Sequence, residues 1–300
     1  EMAKSVSVSN NLITGNTGLD GGGIKGPNVA NASITITENT IYDNTATRDG
    51  GGYAGYAEGT TFTKNIVINN TANGQGGGIY SSGGLLFINN NIVSKNTASQ
   101  EGGGIYFDNI TEDSYFNSLK VNNNAILGNT ANNASAVYYY ATDDNQEFNY
   151  NTIIGNSATG SGGTHSIYLN RSVAPNFTSD VHIFNYANIF GNTAIYELYN
   201  GSNSSSPNVN ATNTWWGTTT ESEIQAKIFD WFDDGSLGIV DYDPWLTEPN
   251  TTAPISPPTN VLKVASGSNV VLTWTANSES DVAGYKIHHG SFTGYSYTNN

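Results

Sequence analysis

Over residues 5 to 218 the apolar residues recur in one setting: Asn-x-Ile/Val-x-x-Asn-Thr-Ala, a few polar residues, then Gly-Gly-Gly-Ile-Tyr. The second Asn of the unit falls at Asn16, Asn44, Asn70, Asn96, Asn129, Asn156 and Asn192. The apolar residue three earlier is Ile13, Ile41, Val67, Val93, Ile126, Ile153 and Ile189, and Thr or Ser follows each Asn. The glycine corner stands at Gly21-Gly22-Gly23, Gly50-Gly51-Gly52, Gly76-Gly77-Gly78 and Gly102-Gly103-Gly104. It weakens to Ser161-Gly162-Gly163 and is missing near Ala134. An altered eighth copy is Asn213-Thr214-Trp215-Trp216-Gly217. Regular copies lie about 26 to 28 residues apart, a solenoid period. Within a copy apolar and polar residues alternate, as in Ser33-Ile34-Thr35-Ile36-Thr37, and a period of two means strands. Each copy therefore predicts about three short strands divided by Asn and Gly corners. A chain that turns the same way after each strand winds into a parallel β-helix, here of about eight coils. Its rungs would lie about 4.8 Å apart around a narrow core of Ile, Val and Ala.

This architecture gives the polar columns a role. Asn tolerates left-handed backbone angles at a corner, and its amide both donates and accepts. Stacked amides can form a ladder, which must be nearly complete, because a buried polar group without a partner costs about 1–3 kcal/mol. The glycine runs are expected to supply positive φ at the next corner.

Composition narrows the function. The 300 residues contain no Cys, so disulfide scaffolds, thiolate metal sites and cysteine nucleophiles are excluded. Gly numbers 34 and Asn exceeds it; both are poor helix formers, which excludes a helical bundle. Lys+Arg total 10 against 25 Asp+Glu, a formal charge of -15 that repels nucleic acid and anionic membranes. No apolar run reaches the roughly 18 residues of a membrane span. The opening Glu1-Met2-Ala3 shows no signal peptide and reads as that of a mature or excised fragment. The expected partners are polysaccharide or a cell-surface glycan or protein, met by a monomer.

The glycine run with Ile, together with Phe-x-x-Asn at Phe62-Thr63-Lys64-Asn65, Phe87-Ile88-Asn89-Asn90 and Phe148-Asn149-Tyr150-Asn151, carries a resemblance. The chain resembles bacterial β-helix surface proteins, including chlamydial polymorphic outer membrane proteins. That family usually has Gly-Gly-Ala where this chain has a third Gly, and it ends in a membrane barrel not visible here. The resemblance implies a right-handed helix and a secreted or cell-surface location. It says little about activity.

Beyond residue 218 the period breaks. Residues 219–248 form an acidic segment in which Ile224, Ile228, Phe229 and Phe232 recur at helical spacing. Thr220 and Glu223 stand in capping-box position, so a short helical cap over the solenoid end is expected. Asp230, Asp233 and Asp234 are candidate calcium ligands, although no loop matches the EF-hand spacing. Residues 249–258 hold four prolines and read as a linker. Residues 259–300 resemble the start of a fibronectin type III sandwich, three strands in which Trp274 and Tyr285 are expected in the core. Only about half of such a domain is present.

Two functional readings compete. In the first, tyrosines after the core residue of the glycine strand point outward as a column: Tyr80, Tyr106, Tyr138 and Tyr168, with Tyr196 as continuation beside an inward Ile195. Aromatic platforms suit sugar rings. Tyr140 joins these candidates, and extra residues at 108–118, 141–147 and 170–180 would lengthen the same edge. Mutual stacking of the tyrosines explains the column as well. In the second reading the chain is a polysaccharide lyase or glycoside hydrolase, for which paired carboxylates are required. Its candidates are Asp143, Asp144, His165 and Arg171, with His182 able to approach His165 from a neighbouring coil. Bases are few, and apart from the neighbours Arg48-Asp49 none clusters with acids. The non-catalytic reading, an adhesin or stalk module, is preferred; a purely architectural element is the third possibility.

Overall fold

The computed structural model describes residues 4–27, 32–56, 59–83, 85–109, 118–141, 145–161, 164–171, 182–203, 208–255, 258–277 and 282–285. It is an all-β parallel solenoid of about seven turns, and the only helix described spans Glu221–Gln225. Each regular turn holds four strands where three were expected. In the second turn they are Ala32–Thr37, Thr40–Tyr42, Thr45–Ala46 and Tyr53–Gly55. Stacking turns one to the next gives four parallel sheets, of nine, seven, six and eight strands in that order. Expectation and structure differ because Thr-Ala, counted as a corner, pairs in its own two-residue ladder: Thr45, Thr71 and Thr97 in register, Ala46, Ala72 and Ala98 behind them.

Register is kept residue for residue. Ile41, Val67, Val93, Ile126, Ile153 and Ile189 form one column, each fully buried. The alternation seen in the sequence thus becomes an inner and an outer face.

Two asparagine ladders run up the corners beside the second sheet. One comprises Asn11, Asn39, Asn65, Asn91, Asn124 and Asn151, the other Asn16, Asn44, Asn70, Asn96, Asn129, Asn156 and Asn192. Asn70 shows the geometry: its backbone N–H and its Nδ2 both donate to Asn96 Oδ1 at 2.9 and 3.0 Å, and Nδ2 also reaches the carbonyls of Ile41 and Ile68. The left-handed backbone does not fall on these asparagines. It falls on the residue before each: Glu38, Lys64, Asn90 and Asn123 in one ladder, Asp43, Asn69 and Lys95 in the other.

The glycine corner needs a similar correction. Only the first glycine of each run, at 21, 50, 76 and 102, has positive φ. The second and third are required by space. A Cβ on Gly78 would lie 2.6 Å from Gly104 O and 3.0 Å from Asn96 Nδ2. The glycine sheet passes so close to the ladder that no side chain fits.

The eighth copy makes no full turn. Trp215 forms a single bridge to Asn188, while Trp216 is fully buried over the Ile column. With Ile224, Ile228 and Val240 it closes the core. Ile228–Phe229 and Val240–Asp241 extend the fourth and first sheets, so the cap is partly one more irregular rung. The capping box does not form. Thr220 makes no side-chain cap, Thr218 Oγ1 donates to Glu223 instead, and Phe232 is 76% exposed because the helix stops before it.

The chain then returns along the second sheet. Asn250 accepts from Asn188 Nδ2 at 3.1 Å and donates to its Oδ1 at 2.7 Å, and Thr152 Oγ1 donates to the Pro254 carbonyl. This strap bounds a cavity of about 310 Å³ with Ile92, Ala125 and Leu127. Farther on, Thr259–Ser266 and Asn269–Thr275 form a two-stranded antiparallel hairpin. Of the expected third strand only residues 282–285 are described, and they are not a strand. Trp274 packs edge-on against Tyr285 at 5.1 Å, but Tyr285 is 39% exposed, so the two make a surface pair and no core.

Candidate ligand-binding edge

The fourth sheet has two outer columns. The first is aromatic. Tyr80 and Tyr106 stack at 5.3 Å and 6°, Tyr106 and Tyr138 at 4.6 Å and 4°, Tyr138 and Tyr168 at 5.0 Å and 19°. Below, Tyr56 leans on Tyr80 at 58°; above, Tyr199 follows Tyr168 at 35° and Phe229 closes on Tyr199 at 4.6 Å. Tyr199, not Tyr196, is the continuation. Leu198 takes the inward place, Ile195 is 66% exposed, and Tyr196 pairs with His165. The dipeptide Ile195-Tyr196 imitates Ile79-Tyr80, but the corner between ladder and tyrosine changes length from turn to turn, which hid the true register.

The rings consume one another's faces. Tyr80 and Tyr106 are 8% and 4% exposed, while Tyr138, Tyr168 and Tyr199 are half-buried. What the column offers a ligand is ring edges and hydroxyls, and not the open platforms expected from the sequence. Burial first, then neighbouring charges that include Asp49, Glu101 and Asp108, hold the phenols of Tyr80, Tyr106 and Tyr138 above their ordinary range. They are neutral donors at neutral pH.

The second outer column is polar: Ser82, Asp108, Tyr140 and Asn170 in register. It leans on the first. Tyr106 Oη reaches Asp108 Oδ2 at 3.4 Å, and Asn170 Nδ2 donates to Tyr168 Oη at 2.8 Å. Sequence reading overlooked Asp108 because it carries no motif. Only in-register stacking puts it beside Tyr140.

Connections of different length follow these strands. The fourth-sheet strand ending at Asn109 is followed by a first-sheet strand from Ser118, and the one ending at Arg171 by His182. Between Ala141 and Asn145 the crossing is short, so the expected middle insertion is absent. Asn200 to Val209 supplies another.

The catalytic candidates do not assemble into a described site. Asp143 and Asp144 lie outside the described residues. Arg171 ends a strand of the fourth sheet, where its backbone pairs with Ala141. His165 is buried against Tyr168 and Tyr199 at 5.1 and 4.9 Å, its Nδ1 2.8 Å from Thr164 Oγ1. Desolvation pushes its pKa down to about 4, so it is a neutral ring at pH 7. His182 belongs to the first sheet, so column stacking does not bring it to His165. Some bases do meet acids: Lys120 reaches Glu147 at 2.8 Å, and Arg48 forks onto buried Asp20 at 2.7 and 2.6 Å, with Lys25 at 3.1 Å. Burial opposes the Asp20 charge, but hydrogen bonds from Arg48 and Lys25 prevail and hold its pKa below the usual value. That clamp staples two turns.

Of the acidic tail, Asp230 is buried, accepting from Phe232 N–H at 3.0 Å and Val240 N–H at 2.7 Å, and burial raises its pKa despite them. Asp233 Oδ2 accepts from the Asp230 N–H, and Asp234 accepts from Ser236. Among the described residues no group of three or more His, Asp or Glu side chains is placed to hold a metal ion. None of the described helices is long and apolar enough to cross a membrane.

No protein-family model, curated protein or solved structure matches the chain.

Proposed function

We propose that the chain is a secreted or cell-surface β-helix module, an adhesin or stalk, that binds glycan along the fourth-sheet edge. The motifs it shares with bacterial surface β-helices, and a fibronectin-like spacer after residue 258, belong to the same reading. One observation carries it: the tyrosine column and the polar column beside it run in register up one edge of the stack. Repeated sugar units are spaced along a line, and so are these groups. Contact would be made by hydroxyls and ring edges, which suits a chain lying alongside the column.

Native affinity electrophoresis of the whole chain in gels holding neutral or acidic polysaccharides tests this. Retardation by at least one polysaccharide is expected, weakened by Tyr140→Ser with circular dichroism unchanged. Mobility unaffected by every polysaccharide overturns the reading. Assays of the same mixtures for new reducing ends and unsaturated-uronate absorbance identify a lyase or hydrolase.

A further inference from the structure

The outer face of the third sheet is a regular array of hydroxyl and amide groups. From the second turn on, its strands read Thr-Ala or Ser-Ala, directly after a ladder asparagine. Thr45, Thr71, Thr97, Thr130 and Ser157 stack in register over Thr17. Two residues on, Thr47, Asn73 and Ser99 stack over Leu19, each N–H bonded to a carbonyl of the turn below, and Asn132 and Thr159 repeat the pairing on the next turns. Members of both columns are half-buried or exposed.

The array is flat and stiff for plain reasons. Between the columns lies Ala46, Ala72, Ala98 or Ala131, each buried, so these turns sit at one depth over the core. The backbone beside the ladder fixes the register: the N–H groups of Thr71, Thr97 and Thr130 donate to the carbonyls of Asn44, Asn70 and Asn96 at 2.8 to 2.9 Å. Thr is restricted at χ1, so hydroxyl and methyl are held as well. Thr47 and Thr159 bond back to carbonyls at 3.4 and 3.2 Å, but the hydroxyls of Thr45, Thr71, Thr97 and Thr130 have no partner among the described residues. No member of either column is charged, and Arg48, next to Thr47, is drawn off by Asp20. Leu19, at the lower end, is 60% exposed. The outer face of the first sheet is different, since Thr61, Phe87, Lys120 and Glu147 follow one another there in register.

We infer that the third-sheet face binds ice. Rungs lie about 4.8 Å apart and alternate residues of a strand about 6.6 Å, spacings close to those between water oxygens on a prism face of hexagonal ice. Free hydroxyls at such intervals both donate to and accept from ordered water, and the methyls beside them add no competing bond. A charged side chain would orient water about itself and break the lattice, which is why the absence of charge matters. An array already held by the fold loses little freedom on binding. The tyrosine edge belongs to another sheet, so ice binding and glycan binding stand or fall separately.

The test uses the whole chain. During slow growth of ice on a cold finger the protein is expected to enter the ice, while a non-binding protein of similar size stays in the liquid. It is also expected to slow ice recrystallisation in frozen sucrose films. Thr71→Lys sets a long charged side chain at the centre of the face. It should raise the concentration needed to halt recrystallisation at least tenfold, with an unchanged melting temperature. Asn73→Lys, exposed in the second column, should do the same and serves where Thr71→Lys does not fold. Thr35→Lys, exposed on the first sheet, should inhibit as well as the parent. If the parent stays in the liquid and recrystallisation runs as in buffer, the chain does not bind ice. If Thr71→Lys and Asn73→Lys inhibit as well as the parent, or if Thr35→Lys fails as they do, the third sheet is not the ice-binding face.

Discussion

The asparagine ladders and the tyrosine column both pile like on like, one turn above another, yet they behave differently. A ladder is directional. Each Asn accepts from the turn before and donates to the turn after, so every member except the last needs a further Asn. The end has to be closed by something else. Asn192, last of its ladder, donates at 2.6 Å to Glu197, which occupies the register place held by Gly104 and Ala136 lower down. Burial raises the Glu197 pKa, and the hydrogen bond from Asn192 and the charge of Lys227 only partly offset this. The tyrosine column has no such syntax. It begins tilted on Tyr56, ends on Phe229 without a hydroxyl, and needs only flat rings. Directional stacks should therefore fail sharply and dispersive ones gradually.

The sharpest expected failure is Asn96→Ala. It strands the Asn70 backbone N–H and the Val67 carbonyl, both of which now pair with the Asn96 side chain. Two buried groups at 1–3 kcal/mol each give a loss of about 4 kcal/mol in urea unfolding. Asn16→Ala, at the exposed start of the same ladder, should lose under about 0.5 kcal/mol. Equal losses for the two would mean that the ladder is not directional.

That contrast also explains what the sequence made legible. The fold, its repeat and the alignment of Asn44, Asn70 and Asn96 follow from one-dimensional periodicity, because each rung repeats the same inward residues. The ladder was visible for the same reason: a missing amide cannot be replaced, so Asn is retained wherever the ladder runs. The tyrosine column was legible only while its spacing stayed regular. Where the corner before His165 and again before Tyr196 changed length, Tyr199 escaped notice. The role of Gly78 was hidden too, since both positive φ and a close approach select glycine, and only distances separate them. The polar column had no sequence signal, because Ser82, Asp108 and Tyr140 come side by side only through the register of adjacent turns.

A second difference concerns charge. The ladder has no titrating member before Glu197, whereas His165 is packed into the aromatic column. The folded His165 pKa of about 4 lies below the ordinary 6.5, so the unfolded chain binds its proton first. Stability from this group is full above pH 6.5 and is lost as pH falls toward 4. At 1.36 kcal/mol per unit of difference, the loss reaches roughly 3 kcal/mol. Other groups titrate in the same window. Glu197 and Asp230, whose pKa values are raised, favour the folded state as pH falls, while Asp20, whose pKa is lowered, opposes it. The quantity to measure is thus the difference between parent and His165→Phe. Unfolding free energies of the two at pH 7 and pH 4 should diverge by about that amount, the parent falling further. Parallel pH profiles would show that His165 is solvated and lies outside the stack.

The smallest effect belongs to the tyrosine column itself. Tyr106→Leu keeps most of the apolar contact and removes two near-parallel ring pairs, at 5.3 and 4.6 Å. Aromatic pairs contribute about 0.5–1.5 kcal/mol beyond their buried area, and Leu restores part of the packing, so a loss near 1 kcal/mol is expected. Tyr56→Leu, at the end where the ring is tilted by 58°, should lose only a few tenths. Near-UV circular dichroism is the more telling readout: Tyr106→Leu splits the column and should reduce the tyrosine signal by more than one residue's share. If Tyr106→Leu instead unfolds the chain as strongly as Asn96→Ala, the column is as directional as the ladders. The Tyr106–Asp108 contact at 3.4 Å would then be the place to look for the cause.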